Sequence, residues 1–282
     1  MNETILITGV STGIGYHLTK QFLTKGYRVF GTVRKQIDAD RLSEEFTADF
    51  TPLIMDVTKS DEIEKAVKIV SKELNGTVLT GLINNAGIAV TGALATLTTD
   101  EYRQQFEVNF FGLVEVTRQV LPLLGTDRSR IGKPGKIINI SSNVGQIGLP
   151  FVGPYCASKH AVEGLSHSLR RELLMYGIDV IIIGPAAIKT PIWEKESATT
   201  IPDSARNSDY AKSMGIFQSL FRKDGERGME PDKLARLISE IFEKRKPKTR
   251  YALAQHKFKE WIMPRFILPD RVLDNMMRKI YK

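Results

Sequence analysis

A single cysteine, Cys156, stands in 282 residues, so no internal disulfide can form and a disulfide-stapled secreted domain is excluded. A reducing, cytoplasmic setting is the expectation. No apolar run approaches the ~18–20 residues that a membrane span needs. The start, Met1-Asn2-Glu3-Thr4, lacks a basic n-region and leads straight into an apolar segment, so no signal peptide is expected. The four histidines, His17, His160, His167 and His256, form no metal-ligand grouping with cysteine or carboxylates, and no metal site is expected. With 42% hydrophobic and 26% charged residues, and no repeat or low-complexity stretch, the chain is neither disordered nor fibrous. Its length suits one large core.

The net charge of +8 suggests nucleic acid at first sight. Its distribution argues otherwise. From Glu243 to Lys282 there are 12 Lys/Arg against 4 Asp/Glu, while the rest of the chain balances at 28 against 28. A neutral body carries a basic tail, and no basic, aromatic-interleaved sheet face is present to bind RNA or DNA.

The body alternates strand-like and helix-like segments. Thr4–Thr8, Arg28–Val33, Pro52–Met55, Gly81–Asn84, Lys136–Ile140 and Val180–Ile183 are short and continuously apolar, as strands covered on both faces are. Between them, Ile14–Gly26, Asp61–Leu74, Asp100–Leu124 and Tyr155–Met175 carry apolar residues at helical spacing. This pattern predicts one α/β domain over 1–282, a doubly wound parallel sheet of the Rossmann type with helices on both faces.

Four constellations carry chemistry. In Thr8-Gly9-Val10-Ser11-Thr12-Gly13-Ile14-Gly15 the glycines allow a tight turn and close approach of a pyrophosphate to a helix N-terminus. Arg34 follows the second strand where an acid would bind a ribose 2′-hydroxyl; a guanidinium there suits a 2′-phosphate, with Ser11 a further donor. NADP(H) is therefore expected over NAD(H). Tyr155 and Lys159, at i and i+4, share a helix face, where an ammonium brings a phenol towards the range of a working acid or base. Ser141 and Ser142 end the fifth strand, where open α/β sheets bind ligands, although a turn or helix cap is the commoner role of such serines.

Together these residues resemble the short-chain dehydrogenase/reductase family over nearly the whole chain. The resemblance implies that Asn109, Ser142, Tyr155 and Lys159 form the catalytic tetrad. It places Asp56 and Val57 by the adenine, and Asn85, Ala86 and Gly87 of an Asn-Asn-Ala-Gly motif by the cofactor. Pro185, Ile188 and Thr190 follow the sixth strand beside the nicotinamide, with Ala186 where the family usually has glycine. In the implied reaction Tyr155 protonates a carbonyl oxygen held by Ser142, Lys159 binds the nicotinamide ribose, and Asn109 supports a water relay.

Within the family the chain looks most like the branch acting on retinoids, hydroxysteroids and related lipophilic alcohols, through Gly148-Leu149-Pro150-Phe151, Tyr155–Lys159 and the basic C-terminal extension. The expected substrate is a small apolar alcohol or carbonyl. Small or 3-oxoacyl-type carbonyls, and a non-catalytic NADP-binding regulator on the same fold, are the alternatives. Trp193, Met214, Phe217, Leu220 and Phe221 make residues 191–230 apolar enough for a substrate lid, or anchor that connection; Ser197–Asp209 is its polar part. In the tail, over about 243–282, Val272, Leu273, Met276, Met277, Ile280 and Tyr281 form an apolar stripe at helical spacing, preceded by Phe258, Trp261, Ile262 and Met263. Such a basic amphipathic segment packs on its own domain or a neighbouring subunit, the commoner fate, or lies peripherally on an anionic membrane. A homo-oligomer, dimer or tetramer, is expected.

Overall fold

A computed structural model of the protein describes residues 3–46, 49–190 and 208–281. Trp193, and nearly all of the polar stretch Ser197–Asp209, lie outside the described residues.

Seven strands form one parallel sheet in the order β3-β2-β1-β4-β5-β6-β7. They are β1 (Thr4–Ile7), β2 (Arg28–Val33), β3 (Phe50–Ile54), β4 (Gly81–Asn84), β5 (Lys136–Ile140), β6 (Asp179–Pro185) and β7 (Arg250–Leu253). Strand side chains alternate between two apolar layers. Ile5, Ile7, Ile138, Ile140, Ile181 and Ile183 face one core, while Leu6, Phe30, Ile137 and Val180 face the other. That is why these strands read as unbroken apolar runs. The first core is closed by α1 (Gly13–Thr24), α2 (Gln36–Glu45) and α8 (Pro231–Glu243), the second chiefly by α3 (Ser60–Leu74) and α5 (Gly112–Val120). The strand order reverses between β1 and β4, which opens a crevice at the carboxyl ends of the central strands.

The helix predicted over 100–124 is three pieces. α4 (Thr99–Phe106) starts at a capping box in which the Thr98 hydroxyl accepts from Glu101 N–H and the Glu101 carboxylate accepts from Thr98 N–H. A π turn over Glu107–Phe111 then joins it to α5, and a 3-10 turn, Leu121–Leu124, ends the run. The helix predicted over 155–175 is α6 (Gly153–Glu172), followed by a 3-10 turn.

The basic tail is not wholly an appendage. Its residues Arg250–Leu253 complete the sheet beside β6, with Ile183 opposite Tyr251. Beyond it come a π-helical segment, Phe258–Ile267, and α9 (Asp270–Tyr281), which packs on α7 (Ala211–Glu226). Met214 and Phe217 of α7 are buried, Phe221 packs against Phe217, and Leu220 is exposed.

Candidate active site

The crevice is an open cleft of about 320 Å³. Gly9, Ser11, Thr12, Gly13 and Ile14 line one end with Arg34, Asp56 and Val57; Ser142, Tyr155 and Lys159 line the other with Pro185 and Ile188, and Thr190 lies beside Gly13. Asn85, Ala86 and Gly87 lie between them. Gly15 and Asn109 stand behind this lining.

The glycine turn is built for close approach. Gly9 and Gly13 have φ of +71° and +61°, and a Cβ on Gly15 would lie 2.2 Å from the Gly9 carbonyl oxygen. The Thr8 hydroxyl accepts from the N–H groups of Asn85 and Ala86, each at 3.0 Å, and Asn85 Nδ2 donates to the carbonyls of Thr8 and Gly9. The Asn-Asn-Ala-Gly segment thus pins the turn. Its first member, Asn84, is structural: its amide donates to Asn139 Oδ1 at 2.8 Å and to the Thr117 hydroxyl. At the N-terminus of α1, Thr12 makes no side-chain cap and no acid sits in the first turn. Uncapped N–H groups at a helix N-terminus that lines the cleft, after a turn packed too tightly for side chains at Gly9 and Gly15, fit the pyrophosphate of a nicotinamide dinucleotide.

At the adenosine end, Arg34 is exposed and lines the cleft. Asp56 is oriented by Thr58, whose N–H and hydroxyl both donate to its Oδ1. Arg41 on α2 donates to the Ser11 carbonyl at 2.7 Å and braces the turn. Sequence reasoning missed Arg41, because the helix that carries it has too few apolar residues to show a period.

At the other end, α6 presents Tyr155 and Lys159. Lys159 is buried; its ammonium donates to the Ile140 carbonyl at 2.8 Å and lies 5.7 Å from the Tyr155 ring centre. Loss of hydration brings the Lys159 pKa down to about 8, partly offset by the negative charge of Glu163. Ser142 both lines the cleft and caps a 3-10 turn, where its hydroxyl lies 3.1 Å from Asn143 Oδ1 and accepts from Val144 N–H.

Asn109 is buried in the π turn, and its amide is spent on structure. Oδ1 accepts from Ile88 N–H, while Nδ2 donates to the Ile88 carbonyl and to the Ser158 hydroxyl. Its side chain therefore ties the segment after β4 to α6. Ala186 has no left-handed backbone; its N–H donates to the Leu253 carbonyl, so β7 holds the position where the family usually has glycine.

Beneath Ser142 and Lys159 lies an ion pair that the sequence does not announce. Glu163, one turn after Lys159, accepts from Arg250 Nε at 2.8 Å and Nη2 at 2.9 Å, from the Ser141 hydroxyl, and from Gln146 Nε2. Both side chains are nearly buried. Arg250 also packs against Trp261 and fills the space beside Gly184, where a Cβ would lie 2.5 Å from Nη2. The pair joins α6, the end of β5 and the tail at one point. A lone arginine 87 positions from its partner gives no local signal.

A second cavity, of about 880 Å³, begins beside Ser142 at Asn143 and Ala186 and extends under the tail to Met263, Leu273 and Met277.

The short chain dehydrogenase family pattern matches residues 3–200. The chain is 38% identical to an NADPH-dependent 3-dehydrocapnine reductase of Ornithobacterium rhinotracheale, over 98% of this chain and 96% of that one. It is 33% identical to a 3-ketodihydrosphingosine reductase of Bacteroides thetaiotaomicron, over 99% and 98%. A short-chain dehydrogenase structure from Streptomyces avermitilis superposes with a TM-score of 0.76 at 26% identity, covering 99% of this chain and 95% of the other. The chain belongs to the short-chain dehydrogenase/reductase family and is an NAD(P)-dependent oxidoreductase.

Proposed function

We propose that the protein is an NADPH-dependent reductase of a ketone on a long-chain lipid, of the 3-oxo sphingoid-base kind. The carrying observation is the cavity of about 880 Å³ that starts beside Ser142 and continues between Val144, Ile147 and Leu149 and the tail residues Met263, Leu268, Leu273 and Met277. Lys189, Asp224, Arg227, Glu230, Lys233 and Glu260 also line it, so its volume and mixed lining suit a flexible amphipathic chain whose ketone lies at the catalytic end. The names of the two reductases similar over nearly full length also favour a 3-oxo lipid over a steroid or retinoid. Arg34 supplies a cation for the adenosine 2′-phosphate.

NADPH, when bound, supplies a hydride to the carbonyl carbon. The residues supply position and the proton. The Tyr155 hydroxyl gives its proton to the carbonyl oxygen as the C=O becomes CH–OH. The Ser142 hydroxyl turns from Asn143 to hydrogen-bond the same oxygen, polarising it. Lys159, fixed by the Ile140 carbonyl, holds a positive charge by the phenol and stabilises the phenolate that remains. Asn109 keeps α6 in register with the segment after β4, a positioning role.

The test is NADPH oxidation followed at 340 nm with 3-ketodihydrosphingosine, a 3-oxosteroid, retinal and a 3-oxoacyl thioester. A kcat/KM at least tenfold higher for the sphingoid ketone is expected. Preference for any of the other three would refute the substrate assignment, and preference for NADH would refute the cofactor.

A further inference from the structure

Six of the twelve residues of α9 are apolar, yet none is fully buried. One stripe faces inward: Leu273 and Met277 line the long cavity, and Tyr281 packs on Phe151 with ring centres 5.5 Å apart. The Tyr281 carbonyl also accepts from the Ser213 hydroxyl of α7, so the helix is held in place. A second stripe, Val272, Met276 and Ile280, follows i, i+4, i+8 and leaves 41–43% of each residue in water. The adjoining π-helical segment adds Phe258, Phe266 and Ile267, which are more than half exposed. Large apolar residues concentrated on one segment mark an interaction surface.

The charges here identify the partner. Lys257, Arg265, Arg271, Arg278 and Lys279 accompany the exposed apolar residues. Of the three acids, Asp270 is exposed at the start of α9, Asp274 is paired with Arg271, and Glu260 is half-buried and accepts from His256 N–H, so the cations outnumber them. The surface therefore presents positive charge outward beside greasy side chains. A second copy seated face to face would oppose like charges. An anionic bilayer complements both features, its headgroups taking the cations and its acyl boundary the apolar stripe.

We propose that the outer stripe of α9, with the preceding π-helical segment, docks the protein on an anionic lipid surface and opens the long cavity towards it. Met276 belongs to both, exposed on the outer stripe and lining the cavity. A long-chain ketone would thus pass from the bilayer towards Asn143 without crossing water. Docking stands on this surface alone, whereas delivery rests on the lipid-ketone reading above.

The test is co-sedimentation of the full chain with vesicles of phosphatidylcholine alone and with 30% phosphatidylglycerol. At least tenfold stronger binding to the anionic vesicles, reversed by 0.5 M NaCl, is expected. The variants Val272→Glu with Ile280→Glu, and Arg278→Glu with Lys279→Glu, should each lose that binding by at least tenfold. Their melting temperature and their turnover of water-soluble ethyl 3-oxobutanoate should match the parent. No sedimentation, or sedimentation indifferent to these variants, overturns docking. A dimer in solution that the stripe variants dissociate overturns it in favour of a second copy. If binding is lost while turnover of 3-ketodihydrosphingosine in vesicles persists, docking holds and delivery fails. If the parent turns over no ketone, the reading under Proposed function fails while the sedimentation result stands.

Discussion

The buried pair Glu163–Arg250 offers a test of the catalytic electrostatics whose sign is fixed in advance. Tyr155 and Lys159 share one helix face, so the proton lost as pH rises belongs to the two together. Whichever group releases it, a nearby negative charge makes release harder and a nearby positive charge makes it easier. Glu163 lies one turn from Lys159, about 6 Å away on a helix. At an effective dielectric of about 20 that separation corresponds to about 3 kcal/mol, or about two pH units. Arg250 holds the same carboxylate on the far side, in contacts of 2.8 and 2.9 Å, and cancels part of this. A displacement of about one pH unit is therefore expected. Since Lys159 stands at about 8, the alkaline limb of kcat/KM for ketone reduction should fall near pH 8 in the parent. Activity is present below that limb, with the ammonium and phenol protonated, and is lost above it. Glu163→Gln keeps an acceptor for Ser141 but removes the charge, so its limb moves down. Arg250→Met leaves the carboxylate facing Lys159 without its counter-ion, so its limb moves up. The double variant returns towards the parent. Each single variant also destabilises the fold by about 3–5 kcal/mol, because one buried charge loses its partner; profiles are therefore taken well below the melting temperature. The assay is NADPH oxidation between pH 6 and 10. A pair that serves only as mortar would lower turnover without moving the limb, or move both limbs the same way, and either result refutes the reasoning.

Two further outcomes follow from the cleft. Tyr155→Phe removes the only proton the mechanism assigns to the carbonyl oxygen, so kcat should fall by about 10²–10⁴ while NADPH binding, measured by titration calorimetry, keeps its parental affinity; near-normal turnover would refute the role. Arg34→Glu replaces the cation beside the adenosine end, and the KM for NADPH should rise by about 10–100-fold with the KM for NADH little changed. Equal effects on both cofactors would show that Arg34 contacts something common to them.

Much of the fold was legible because its strands are buried on both faces. Residues 28–33, 81–84 and 136–140 read as strands from composition alone, and the structure gives them the same limits. The long helix over 100–124 did not read correctly, because periodicity cannot detect the extra residue of a π turn that keeps the apolar face in phase. α2 escaped because Gln36–Glu45 buries only Ala39 and Leu42. β7 escaped for the opposite reason: Arg-Tyr-Ala-Leu is four residues at the edge of the sheet, too short for alternation to show.

The cleft itself was legible as motifs, since a tight turn between strand and helix demands glycine at set intervals and the tyrosine and lysine line the cleft from one helix. What lay hidden was the support. Asn109 is expected as a participant, and what its sequence position does not show is that its side-chain amide is held by Ile88 and the Ser158 hydroxyl. The charge tells the same story from the other side. Counting along the chain assigns the excess of +8 to the last forty residues and leaves the body neutral, which separates charge from chemistry. Folding undoes that separation at one residue. Arg250 counts among the basic tail, but β7 carries it under Ser142, where it neutralises Glu163. An arginine in water is nearly indifferent to its neighbours; the same arginine, stacked on Trp261 and deprived of solvent, tunes the groups around it. Burial, which composition cannot report, decides which of forty cations matter to the reaction.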